Sequence, residues 1–137
     1  DINSSMPAYV VGKIADALNE ERLAIRGSRI LLLGVAYKRN SNDLRESPAL
    51  DICTQLQKKG AEVLFHDPYI TEMKIETGAL RRSDLSIPLL ESAACVVVVT
   101  DHSSYDWQFI VDHAALVVDT RNATAGTRPK SCRIVKL

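Results

Sequence analysis

The residues of this chain best suited to chemistry are three cations, Lys38, Arg39 and Arg45, set between a glycine and a helix start. They follow the run Ile30-Leu31-Leu32-Leu33-Gly34-Val35-Ala36-Tyr37-Lys38, which reads as a buried strand ending where the backbone must turn at Gly34. Asp43-Leu44-Arg45-Glu46-Ser47-Pro48 then leads into a helix, with Ser47 suited to its cap and Pro48 to its first turn. A glycine, cations and helix-start N–H groups at one strand end form a seat for phosphate, and so for a nucleotide-type ligand. Arg121, just after Asp119-Thr120, occupies the same kind of place at another strand end.

Each cation also has a plainer reading. Lys38 can be a solvated surface lysine, and Arg45 can pair with Asp43 or Glu46, an exposed arrangement worth little in stability. Against this, an arginine fork matches a phosphate bidentately, and several cations on one rim are harder to dismiss than any one alone. The dinucleotide fingerprint is absent, because Gly34 is followed by Val35, Ala36 and Tyr37 rather than by further glycines. His66, His102 and His113 make neither a metal set nor a triad. His102 reads as a loop histidine, His113 as a cation closing a helix, and Asp67 as a structural cap. Cys53, Cys95 and Cys132 lie far apart in apolar stretches, without a CxxC pair, and read as reduced core thiols.

The elements that must position these residues are legible from periodicity. Apolar residues at helical spacing between 6 and 20 (Val10, Val11, Ile14, Ala17, Leu18) predict an amphipathic helix, with Ser5 as cap and Pro7 in its first turn. Strands are expected over 29–33, 61–65, 95–100 and 116–119, with a short final one over 133–137. Helices are expected from Ser47 to Lys58, over 87–94 and over 105–113. Lys58-Lys59-Gly60 is a stop signal, with cations in the last turn and a glycine beyond. The stretch 71–86 reads as a loop with a short helix. Alternating strands and helices, with unbroken aliphatic strands, imply an α/β fold. The expectation is a Rossmann-like doubly wound parallel sheet of about five strands, ordered 2-1-3-4-5, with helices on both faces. Its ligand edge is the carboxyl end of the strands.

The chain has 137 residues and balanced charge, 17 Lys+Arg against 17 Asp+Glu. That gives no field for nucleic acid or an anionic membrane, and no apolar run approaches the roughly 20 residues of a membrane span.

Taken together, Met6-Pro7-Ala8-Tyr9-Val10-Val11, Gly34-Val35-Ala36-Tyr37-Lys38, Asp43-Leu44-Arg45-Glu46-Ser47-Pro48-Ala49, His66-Asp67-Pro68-Tyr69 and Asp119-Thr120-Arg121-Asn122 closely resemble the C-terminal domain of the UDP-glucose/GDP-mannose dehydrogenase family. The wording is most similar to the bacterial branch that acts on UDP-N-acetylglucosamine or UDP-N-acetylmannosamine. The resemblance implies a cytoplasmic three-part enzyme, a homodimer or higher oligomer, that oxidises a sugar C6 alcohol to a carboxylate. NAD would be held mainly by an N-terminal Rossmann domain, and the catalytic cysteine by a central domain. It further implies that Tyr37, Lys38 and Arg121 contact the UDP-sugar and that Arg45 reaches the NAD phosphates. Residues 1–27 are then expected to be a connector helix from the central domain, and 28–137 the UDP-sugar-binding domain. None of Cys53, Cys95 or Cys132 falls in a matching motif, so no catalytic residue and no metal ligand is expected here. The piece alone is expected to be catalytically silent. A free-standing nucleotide- or phosphate-binding module is the alternative, and UDP-glucose and GDP-mannose are alternative substrates.

Overall fold

The computed structural model describes residues 2–137, with side-chain surroundings from Ser5 onward. The chain order is α1 (Ile2–Glu20), β1 (Arg29–Leu33), α2 (Pro48–Lys58), β2 (Glu62–His66), β3 (Glu72–Ile75), β4 (Gly78–Arg81), α3 (Ile87–Ser92), β5 (Cys95–Val98), α4 (Trp107–His113), β6 (Leu116–Asp119) and β7 (Arg133–Lys136).

Five strands form one parallel sheet in the order β2-β1-β5-β6-β7. Counting only these five along the chain, that is the expected 2-1-3-4-5. The aliphatic strands sort their residues by alternation. Ile30, Leu32, Cys95, Val97 and Val118 pack with α1 and α2 on one face. Leu31, Leu33, Val96, Val98 and Val117 pack with Leu90 of α3 and with Ile110 and Val111 of α4 on the other. Covered on both sides, β1, β5 and β6 have no need of polar residues until their carboxyl ends.

Two expectations need correction. Residues 72–81 form an antiparallel hairpin, β3 with β4, instead of a loop and short helix. Met73 is buried and Ile75 half-buried while Glu72 and Lys74 point out, a period of two too short to stand out in the sequence. Gly78 closes the turn at φ +134°. The first helix also begins upstream of Ser5, so Ser5 is not its cap and Pro7 lies inside it. At the sixth helical position, past the first turn, the missing proline N–H forfeits one intrahelical bond. The apolar face of α1 is covered, with Val10, Val11, Ile14, Ala17 and Leu18 buried in the same core as Ala49, Ile52, Cys53 and Leu56 of α2. Among the described residues no helix is long and apolar enough to cross a membrane.

Candidate functional site

The ends of β1, β2 and β5 are tied into one polar knot. Gly34 sits at φ +77°, and a Cβ there would stand 2.1 Å from the Thr100 carbonyl oxygen. The glycine is therefore dictated by strand packing as well as by the turn. Thr100 Oγ1 donates to the Ala36 carbonyl. Ser47 Oγ donates to the Val35 carbonyl at 2.6 Å and accepts from the Ala49 N–H at 3.1 Å, so it caps α2 as expected. With Pro48 offering no N–H, the first two amides of this helix are unavailable to an anion, contrary to the expected supply of free donors.

Asp67 is fully buried and is the centre of the knot. Its carboxylate accepts from the N–H groups of Val35 (2.8 Å), Ala36 (3.3 Å), Tyr69 (2.8 Å) and Ile70 (3.2 Å), and from His102 Nε2 (2.8 Å). The reading of Asp67 as a cap agrees with this geometry. The part played by His102 has no local signal, because its partners lie 35 and 62 residues away along the chain.

From this base the loop 37–46 projects outward. Its neck is closed by the Tyr37 N–H donating to the Asp43 carbonyl at 2.7 Å. Tyr37, Lys38 and Arg45, with Asp43 and Glu46, line an open cavity of about 280 Å³. Lys38 has no hydrogen bond or ion pair among the described residues. Arg45 does: its Nε and one terminal nitrogen grip Asp43 Oδ1 and Oδ2, both at 3.0 Å. The hydrogen bonds to Asp43 raise the Arg45 pKa, and those from Arg45 hold Asp43 below the usual carboxylate value. Glu46 adopts φ +62° just before the cap, a strained backbone at the neck of the loop.

Arg121 stands at the same sheet edge but lines different cavities. One of about 160 Å³ includes Pro48, Ile52 and Val99, and one of about 420 Å³ includes Asn122 and Lys136. Its Nε donates to the Val99 carbonyl at 3.0 Å. Its loop is held by buried Asp119, whose carboxylate accepts from the N–H groups of Arg121, Ala123 and Thr124 and from Thr124 Oγ1. Burial alone would raise the Asp119 pKa, but the bonds from Thr124, Ala123 and Arg121 outweigh it and hold the group below its ordinary value. The structure thus brings Tyr37, Lys38 and Arg45 into one cavity and sets Arg121 beside it. A larger cavity, about 620 Å³, lies elsewhere, between α1, residues 23–25 and the far end of α2, and contains no strand-end residue.

The thiols are poor nucleophiles. Burial pushes Cys53 and Cys132 up to about 11 and Cys95 to about 12. No group of three or more metal-ligating side chains occurs among the described residues.

Residues 31–126 match the UDP-glucose/GDP-mannose dehydrogenase family, UDP binding domain. The chain is 32% identical over 128 residues to a UDP-glucose 6-dehydrogenase of Rickettsia bellii, covering 88% of this chain and 29% of that protein. It is 31% identical over 129 residues to a UDP-N-acetyl-D-mannosamine dehydrogenase of Pyrococcus horikoshii, covering 88% and 28%. The solved structure of a UDP-D-ManNAc dehydrogenase from Pyrococcus horikoshii superposes with a TM-score of 0.80 at 28% identity, covering 98% of this chain and 31% of that one. The chain thus spans less than a third of the length of these relatives.

Proposed function

This chain belongs to the UDP-glucose/GDP-mannose dehydrogenase family, and from that premise we propose that it is the nucleotide-sugar-binding domain of an NAD-dependent UDP-sugar 6-dehydrogenase acting on a UDP-N-acetylhexosamine. The observation that carries the reading is Lys38. It is exposed, makes no hydrogen bond or ion pair among the described residues, and lines a cavity at the carboxyl edge of the sheet, where open α/β sheets take their ligands. Tyr37 and Lys38 would meet the substrate there, and Arg121 would reach it from the neighbouring strand end. Residues 28–137 would form the binding domain, with 1–27 serving as the connector from the rest of the enzyme.

Arg45 is the candidate for the NAD phosphates. Its fork is already engaged by Asp43, which leaves one terminal nitrogen for a phosphate unless the pair opens. The remaining chain residues do not fit a dinucleotide site of their own. Gly34 is accounted for by the Thr100 carbonyl, and no glycine follows it to admit a pyrophosphate. NAD, when bound, supplies the hydride acceptor, and it would be held mainly by parts of the enzyme other than this chain. What these residues do is neutralise a diphosphate, orient the sugar and help exclude water. With no activated thiol, the chain alone would be catalytically silent. The complete enzyme would work as a homodimer or higher oligomer.

Titration of the isotope-labelled chain with UDP, GDP and UDP-N-acetylglucosamine tests this. Half a site binds weakly, so saturable shifts are expected in the millimolar range, at amides from Gly34 to Ser47 and around Arg121, stronger for UDP than for GDP. Lys38→Ala and Arg121→Ala should each weaken them. No shift up to about 10 mM, or shifts equal for both bases, would count against uridine recognition by this domain.

A further inference from the structure

We propose that His102 is a positioning residue, whose neutral imidazole seats the loop that carries Lys38 and Arg45. The idea rests on the reading of that loop as ligand-facing and adds what holds it in place.

The hydrogen bonds fix the protonation of the ring. His102 is fully buried. Its Nε2 lies 2.8 Å from Asp67 Oδ2, a carboxylate that can only accept. Nε2 therefore carries a proton. Its Nδ1 lies 2.8 Å from the backbone nitrogen of Asn40, which can only donate, so Nδ1 offers a lone pair. A single neutral tautomer meets both demands. Asp67 orients the ring from one side, and the ring presents its acceptor to the loop on the other.

Asn40 is where this matters. It stands at φ +57°, a conformation that asparagine tolerates, at the tip of the loop. Its side-chain Oδ1 accepts from Ser103 N (2.9 Å) and Ser103 Oγ (3.0 Å), so three hydrogen bonds from the segment after β5 grip one residue. Among the described residues between Lys38 and Asn42, none besides Asn40 has a hydrogen bond to another element. Lys38 is two positions from this anchor, and its reach over the cavity depends on where Asn40 is held. Asp67 thus acts on the loop twice: directly at Val35 and Ala36, and through His102 at Asn40.

Two substitutions separate the nitrogens of the ring. His102→Asn keeps an acceptor oxygen near the Nδ1 position, whereas His102→Gln keeps a donor toward Asp67 and offers nothing to Asn40. The expected result is that the Asn40 amide stays protected from hydrogen exchange in H102N and exchanges at least about tenfold faster in H102Q. UDP should bind H102N within about twofold of the parent chain and H102Q at least about fivefold more weakly. In the parent chain, ring-nitrogen NMR should show the proton on Nε2, with a scalar coupling from the Asn40 N–H across its hydrogen bond to Nδ1. That measurement decides the matter if either variant fails to fold. A proton on Nδ1, no such coupling, or equal Asn40 exchange in the two variants overturns the proposal, even where UDP still binds. If exchange follows the expected pattern but UDP binds no form of the chain, the seating of the loop stands and the nucleotide reading falls.

Discussion

Two loops at the same sheet edge are each held by a buried aspartate, in opposite ways. Asp119 ends β6 and spends its carboxylate on its own neighbourhood, taking the N–H groups of Arg121, Ala123 and Thr124 and the Thr124 hydroxyl. Asp67 follows β2 and spends most of its capacity at a distance, on Val35 and Ala36 after β1 and on His102 after β5. The first arrangement makes a rigid shelf that fixes Arg121 within five residues. The second ties three strand ends together, while the projecting loop 37–46 is held at its neck, at Asn40 and by Leu44 packed against the core. A local cap stiffens the side chain beside it, whereas a distributed one leaves its cations on a longer arm with few anchors. On the proposed reading, that difference would suit a cation fixed on one part of a ligand and another that adjusts as the ligand settles.

The contrast is broken most severely at Asp67. Asp67→Ala strands the buried N–H groups of Val35, Ala36 and Ile70 and the His102 Nε2–H, each costing about 1–3 kcal/mol when left unpaired, along with the part-buried Tyr69 N–H. A loss of about 4 kcal/mol or more is expected, measured by denaturant unfolding, with hydrogen-exchange protection lost at Val35, Ala36, Tyr69 and Ile70 together. A loss confined to Tyr69 and Ile70 would mean that Asp67 is as local a cap as Asp119.

Asp119→Ala should cost less, about 2 kcal/mol, because it strands four donors instead of five, and those of Arg121 and Ala123 are only part-buried. Lost protection should stay within residues 121–124. The variant also carries a pH signature. Asp119 is held below its ordinary value in the folded chain, so its contribution is present above the unfolded carboxylate value of about 3.9 and is lost as pH falls through the lower folded one. The acid limb of stability against pH should therefore be shallower in Asp119→Ala than in the parent. An unchanged acid limb would show that another carboxylate governs it.

How much of this could be read from the residues follows the same division. Asp119-Thr120-Arg121-Asn122 announces a local turn, and the strands β1, β5 and β6 announce themselves by unbroken aliphatic runs, so sheet order and strand ends were both legible. The Ser47-Pro48 cap was legible too, since its chemistry lies within two residues. Asn40, His102 and Ser103 were not, because their bonds span 62 and 63 positions and depend on β1 and β5 lying side by side. The hairpin β3–β4 was missed because two four-residue strands give too few alternations to outweigh their polar faces. The neighbourhood of Arg45 was legible only as a choice between a phosphate and Asp43, and the folded chain fills it with Asp43.

That last pair offers the gentlest test of the comparison. Asp43 is the acid that ion-pairs with a cation of the arm, whereas among the described residues no acid pairs with Arg121, whose Nε instead rests on the Val99 carbonyl. Asp43→Asn keeps an oxygen for the Arg45 N–H and leaves the Tyr37–Asp43 neck, a backbone bond, in place. It removes the charge together with the Oδ2 acceptor of one Arg45 terminal nitrogen. Because the ion pair is exposed, thermal stability should be unchanged. If the Lys38–Arg45 cavity receives a diphosphate, removing the competing carboxylate should tighten UDP by about threefold at low salt, with the gain shrinking as salt screens it. The same variant should leave the UDP-induced shift at the Arg121 amide unchanged at saturation, since that shelf is built without Asp43. Weaker binding would reverse the assignment, making Asp43 the group that pre-orients Arg45 for its ligand rather than the one that occupies it in the ligand's absence.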